Sequence, residues 1–136
     1  MPPPKSPAFK CFITHLYQTS YIPSHESFIY AKTLFSTVKL QGIVIDFHNS
    51  PPSCIIDDAT GLARIDLPPD TLVEKGSCIS VVGSLTWDQD DEIFAVVANR
   101  VFEKQDVDCE GIWGMEIVRI HREVYLPDAE LDAYLA

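Results

Sequence analysis

Between residues 38 and 102 the chain passes through five β-rich stretches separated by turn chemistry, and this succession restricts the fold more than any other feature of the 136 residues. The stretches are 38–47, 53–57, 62–67, 77–87 and 93–102. Each is rich in Val, Ile, Leu or Phe and bounded by Gly, Pro, Asn or Asp, as strands are. Between the second and third stands Asp57-Asp58-Ala59-Thr60-Gly61, which predicts a tight hairpin because Asp carboxylates bond to nearby backbone amides and Gly tolerates turn geometry. Between the third and fourth, residues 68–76 begin with two prolines and end in Gly76, which predicts a connector made of a single helical turn. Gly42 and Gly83 interrupt the long first and fourth stretches, where strands of a small barrel must bend or bulge. The fold class that follows is mainly β: a five-stranded OB-fold barrel with a short N-terminal helix and a C-terminal helix.

The flanks complete the layout. Four prolines in residues 1–7 predict an extended lead-in. After them Phe9, Phe12, Ile13 and Leu16 recur at helical spacing, with Ser6 as cap and Pro7 at the first helical position, predicting a helix over 7–17. Residues 21–35 predict loop with a short edge strand. Residues 111–126 predict a helix ended by Pro127, whose apolar stripe is Trp113, Ile117, Ile120 and Val124, widened by Ile112, Met115 and Val118. The chain thus divides into an N-terminal extension (1–37), a barrel (38–104) and a C-terminal docking helix with its tail (105–136). A helix this apolar is expected to face another polypeptide as well as its own barrel. The bland alternative is that the stripe only closes one end of the barrel.

Twenty acidic against ten basic residues give a formal charge of −10, a mean field that repels phosphate and favours basic partners. The ten Lys and Arg are thinly spread and form no basic stripe along the sequence. Cys11, Cys54, Cys78 and Cys109 lie far apart without a Cys-x-x-Cys pair, which predicts reduced thiols, an intracellular setting and no zinc site. No stretch approaches the length of a membrane span. Phosphate-loop, nucleophile-elbow and His-Glu-x-x-His motifs are absent. The expectation is therefore a protein that is not an enzyme and needs no cofactor or metal. The run Asp88-Gln89-Asp90-Asp91-Glu92 lacks the central glycine of a calcium loop and reads as a solvated hairpin tip.

OB barrels that hold single strands present aromatic platforms and cations on their second and third strands. Here those strands offer Arg64 and no aromatic residue, while Trp87 and Phe47 near strand ends read as core or interface. Little direct DNA binding is expected, with a single-stranded nucleic-acid binder of the telomere-capping or replication-protein-A type as the alternative.

Five segments also carry a resemblance: Lys5-Ser6-Pro7-Ala8-Phe9-Lys10, Leu40-Gln41-Gly42, Asp57-Asp58-Ala59-Thr60-Gly61, Ser80-Val81-Val82-Gly83 and Gly111-Ile112-Trp113-Gly114-Met115-Glu116-Ile117. With them the chain resembles the RecQ-mediated genome instability protein 2 family. The resemblance implies a nuclear scaffold subunit that heterodimerises with the OB domain of RecQ-mediated genome instability protein 1. It implies association, through that complex, with a Bloom-type RecQ helicase and topoisomerase III alpha, in the dissolution of double Holliday junctions and suppression of crossovers. It further implies a groove for a Fanconi anaemia helicase-like peptide, matched here by Lys10, Asn99, Arg100 and Trp113, although Asn99 departs from the basic residue expected there.

Overall fold

The computed structural model describes residues 8–104 and 106–122. Its barrel is built from β5 (Thr37–Asn49), β6 (Pro52–Asp57), β7 (Leu62–Asp66), β8 (Cys78–Asp88) and β9 (Ile93–Lys104). All five strands fall within two residues of the predicted runs, because alternating burial fixes both their existence and their phase. The order β5-β6-β7-β9-β8 closes through β5–β8, and β7–β9 is the parallel pair among otherwise antiparallel neighbours. This is a closed OB-type barrel.

Closure requires β5 to serve two neighbours. Its first half, Thr37 to Ile43, pairs with β8, and its second half, Ile43 to Asn49, pairs with β6. The handover lies at Gly42, where a Cβ would sit 2.9 Å from the Asp57 carbonyl oxygen. At Gly83 the approach is closer still: a Cβ would stand 2.1 Å from the Val97 carbonyl oxygen. The β8–β9 register shifts at that point, from Val82 opposite Arg100 to Gly83 opposite Ala98, leaving Asn99 as the extra residue of a bulge. Leu40, Val44, Ile56, Ile65, Val81 and Val96 fill the interior.

The N-terminal extension differs from the helix expected over 7–17. Phe9–Lys10 form β1, parallel to β5 with Phe9 opposite Val38, and only Ile13–Leu16 are helical (α1). Phe9, Cys11 and Ile13 are all buried, a period of two that suits a strand as well as the Phe9, Phe12, Ile13 and Leu16 series suits a helix. Ser6 and Pro7, the expected cap, lie outside the described residues. The cap comes from the hairpin instead: Ile13 N–H donates to Asp58 Oδ2 at 2.7 Å, and Thr14 N–H to Thr60 Oγ1 at 3.1 Å. Within that hairpin Ala59 N–H and Thr60 N–H donate to the Asp57 and Asp58 carboxylates, so one five-residue turn shapes itself and anchors α1.

Residues 20–35 hold more order than loop and edge strand. β2 (Ser20–Ile22), a 3₁₀ turn (Pro23–His25), β3 (Ser27–Tyr30) and β4 (Thr33–Phe35) make an antiparallel three-stranded sheet. It buries Phe28, Tyr30 and Phe35 against the barrel core. The expected helical turn over 68–76 is absent. Two tight turns replace it, with Thr71 N–H bonded to the Pro68 carbonyl and Ser77 N–H to the Glu74 carbonyl. Asp70, inside the first of them, adopts a left-handed φ of 63°, which a right-handed helical turn does not accommodate. Val73 is nevertheless buried in the core.

The C-terminal helix α2 spans Asp106–Ile120, starting five residues before the predicted position and running through Gly111 and Gly114. Its predicted end near Pro127 lies outside the described residues. The reduced state expected of all four cysteines is corrected for Cys78, which is disulfide-bonded. Cys78 opens β8 opposite Lys104, where the chain leaves the barrel for α2, and spacing along the sequence could not show what meets it there. Cys11 and Cys54 are free and buried, and burial pushes the Cys54 thiol up to about 12 and raises Cys11 further.

Candidate partner and nucleic-acid interface

The predicted docking stripe turns toward its own barrel. Trp113 is 7% exposed and Ile117 fully buried, Ile120 is half-buried, and Val124 lies outside the described residues. The opposite side of α2 carries Met115 at 75% exposure and Val118 at 52%. The expectation that Trp113 and Ile117 face a partner is therefore corrected. Large apolar side chains nearest an open sheet cover that sheet first, each burial contributing about 1.5–3 kcal/mol. Among the described residues of α2, Met115 and Val118 are the large apolar side chains left exposed.

Trp113 lies beside a cleft of about 260 Å³, which Phe12, Gln41, Gly42 and Thr60 also line. Lys39 Nζ sits 5.9 Å from its ring centroid, within cation–π range. Lys10, on the neighbouring strand, is 3.8 Å from Glu116 of α2. Strand register then reveals an alignment hidden in the sequence: Lys10 is opposite Lys39, Lys39 opposite Val82, and Val82 opposite Arg100. Opposed residues share a face, and strands are about 4.8 Å apart, so three cations occupy one row about 14 Å long across the barrel exterior. Of the four residues expected to form a peptide groove, Lys10 and Arg100 stand in this row and Trp113 lies under Lys39. Asn99 occupies the bulge beside them.

A second feature lies where β8 ends and β9 begins. Tyr17, Tyr21, Phe28, Trp87 and Phe94 line a pocket of about 620 Å³, joined by Thr19, Glu26, Leu85 and Thr86. Trp87 and Phe94 are cross-strand partners with ring centroids 4.8 Å apart. Tyr17 stands edge-on to Phe94 at 4.9 Å, and its hydroxyl donates to the Leu62 carbonyl. Tyr21 packs on Phe28 at 5.2 Å. Trp87 is 44% exposed and walls the pocket, so it is not the core residue that was one of its two expected roles, while Phe47 packs partly buried against the core. These aromatics come from α1's exit, β2, β3, β8 and β9, and no local pattern joins them.

Charge around the second and third barrel strands is already committed. Arg64 on β7 bonds Asp66 at 3.0 Å and Asp88 more closely, with Asp91 at 3.8 Å. Hydrogen bonds to Asp88 and then Asp66 raise the guanidinium pKa, and the Arg64 bond holds the Asp88 carboxyl below its usual range. A phosphate approaching Arg64 would have to displace carboxylates. The 88–92 turn uses Asp88 in a third way, as acceptor for the backbone N–H groups of Asp90 and Asp91.

No family model and no curated protein matches this chain. Its fold is shared with several solved structures. A chain of a replication protein A heterotrimer bound to ssDNA superposes with a TM-score of 0.76 at 15% identity, covering 88% of this chain and 98% of that one. A chain of the S. pombe Stn1–Ten1 complex gives 0.74 at 16% identity, covering 88% and 95%. A chain from the yeast Stn1 and Ten1 structure gives 0.67 at 16% identity, covering 96% and 84%. At such identities the likeness establishes the OB fold over nearly the whole length.

Among the described residues no three His, Cys, Asp or Glu gather as a metal site, and no helix is long and apolar enough to cross a membrane. His15, Phe9, Tyr30 and His121 form an aromatic cluster beneath the end of α2. Burial and the neighbouring His121 lower the His15 pKa to about 4. This cluster fastens α2 to the N-terminal extension.

Proposed function

We propose that this chain is a non-catalytic OB-fold subunit of a nuclear genome-maintenance assembly that handles single-stranded DNA, of the telomere-capping or replication-protein kind, and that it works there beside a second OB-fold protein. The Lys10, Lys39 and Arg100 row carries the reading, because a sugar-phosphate backbone crossing it meets three cations, competing at Lys10 with the exposed Glu116 carboxylate. Three cations on a chain of charge −10 supply weak contact alone, so the complex is the DNA-binding unit. The exposed Met115 and Val118 side of α2 is where the second subunit docks. A shared fold over 88% of this chain with chains taken from the Stn1–Ten1 and replication protein A structures supports both points.

The dissolution-complex scaffold implied by the residue resemblance is the second reading. It rests on the five quoted segments, and on Lys10, Arg100 and Trp113 sharing one exterior face. Affinity purification of the tagged chain separates the readings. An OB-fold partner together with retention of a labelled single-stranded oligonucleotide supports the first. A RecQ helicase and topoisomerase III in the eluate, without oligonucleotide retention, supports the second and overturns the first.

A further inference from the structure

The aromatic pocket at the end of β8 and the start of β9 has a charge environment opposite to that of the cation row. Its lining contains Glu26 and no lysine or arginine. Arg64, the cation beside Asp88, is engaged by Asp66, Asp88 and Asp91. The adjoining turn adds Asp90, Asp91 and Glu92. Glu26 closes the 3₁₀ turn in the left-handed region at φ 49°, its N–H donating to the Pro23 carbonyl, which fixes its backbone beside the pocket. Aromatic faces bordered by carboxylates attract a planar cation twice over, through the ring quadrupoles and through the charge. The same carboxylates repel a polyphosphate chain.

We propose that this pocket is a docking site for a basic peptide segment of a partner protein, which inserts an arginine side chain against Tyr17, Tyr21 and Trp87 and pairs it with Glu26. A guanidinium is flat, weakly hydrated and forked, so it stacks on an indole or phenol while offering donors to a carboxylate at the rim. The pocket volume of about 620 Å³ leaves room for residues flanking the arginine. Thr19 and Thr86 also line it; their hydroxyls donate to the Leu16 and Ala95 carbonyls, which leaves the oxygens as acceptors for a guanidinium's donors. The inference is independent of the DNA role, which it neither requires nor replaces.

The test is fluorescence anisotropy with the full chain and three labelled probes: a Gly/Ser peptide of about ten residues carrying three arginines, the same peptide with three glutamates, and an oligothymidylate of about ten nucleotides. The arginine peptide binds, quenches or shifts Trp87 fluorescence, and weakens as salt rises from about 50 to about 500 mM. Glu26→Gln and Trp87→Ala each weaken it about tenfold or more, and Glu26→Lys abolishes it. These side chains are at the exposed rim, and a circular-dichroism melt of each variant establishes that it is folded. Tighter binding of the oligothymidylate, lost in the same variants, would overturn the proposal in favour of a nucleic-acid site. Arginine-peptide binding unchanged by the variants, or no binding at all, would overturn it as well. Partner and oligonucleotide retention by the purified complex is read separately, so failure here and failure of the proposed function remain distinguishable.

Discussion

His121 stacks its imidazole on that of His15, with ring centroids 3.9 Å apart and planes inclined by 26°. His15 Nδ1 accepts the Phe12 N–H at 3.1 Å, and His121 Nδ1 lies 3.1 Å from the Ile117 carbonyl oxygen. Accepting at Nδ1 favours neutral His15, whereas the Ile117 carbonyl calls for a proton on His121 Nδ1, so the neutral rings are opposite tautomers. Burial lowers both pKa values, His15 to about 4.

Stability should fall on mild acidification as a result. A group whose folded pKa is depressed contributes fully above its unfolded value, near 6.5, and the contribution is lost as pH drops toward about 4. Thermal melts from pH 7.5 to 4 should show a progressively lower Tm, and His15→Phe should flatten that slope. An unchanged slope in the variant would remove His15 from the account.

Gly83 is the most sterically committed position of the barrel. Gly83→Ala places a methyl group at 2.1 Å from the Val97 carbonyl oxygen, so β8 and β9 must separate or slip. A loss of about 1–3 kcal/mol or more, measured by urea unfolding, is expected. Gly76→Ala is a useful contrast, since there the strain is a left-handed φ of 89° with open space around the Cβ.

Asp58 joins the hairpin to α1 through a single carboxylate, accepting from Thr60 N–H and from Ile13 N–H. Asp58→Ala should cost about 1–2 kcal/mol, as loss of a helix cap does. Hydrogen exchange should locate the loosening at residues 12–17 and 57–61. Protection lost evenly across the barrel would contradict that assignment.

The two sides of α2 should separate experimentally. Ile117→Ala removes a fully buried side chain and should destabilise by about 2–5 kcal/mol. Met115→Glu with Val118→Glu alters exposed positions, so the melt should stay within about 0.5 kcal/mol of the parent while the co-purifying partner is lost. Partner capture that survives the exposed-side pair would place the docking surface elsewhere.

The barrel is legible because each strand is a run of β-forming apolar residues and the connections carry their own turn residues. Gly42 and Gly83 marked the bend and the bulge before either was seen. Phe9 was not legible: Phe9, Cys11 and Ile13 have a strand's period while Phe9, Phe12, Ile13 and Leu16 have a helix's, and only the pairing with Val38 decides. The stripe on α2 is legible as apolar, but amphipathicity alone does not tell a helix's own barrel from a partner. The cation row and the aromatic pocket stayed hidden for one reason. Lys10, Lys39 and Arg100, like Tyr17, Tyr21, Trp87 and Phe94, meet through register and topology, which spacing along the chain does not encode.

The most direct measurement is the salt dependence of single-stranded oligonucleotide affinity for the affinity-purified complex, compared between the parent chain and the Lys39→Glu, Arg100→Glu double variant. A basic row that tracks the backbone predicts weaker binding in the variant and a log–log salt slope reduced by about 1–2, with the partner still bound. An identical slope and affinity, or a purified complex that fails to bind the oligonucleotide at low salt, would contradict the proposed role.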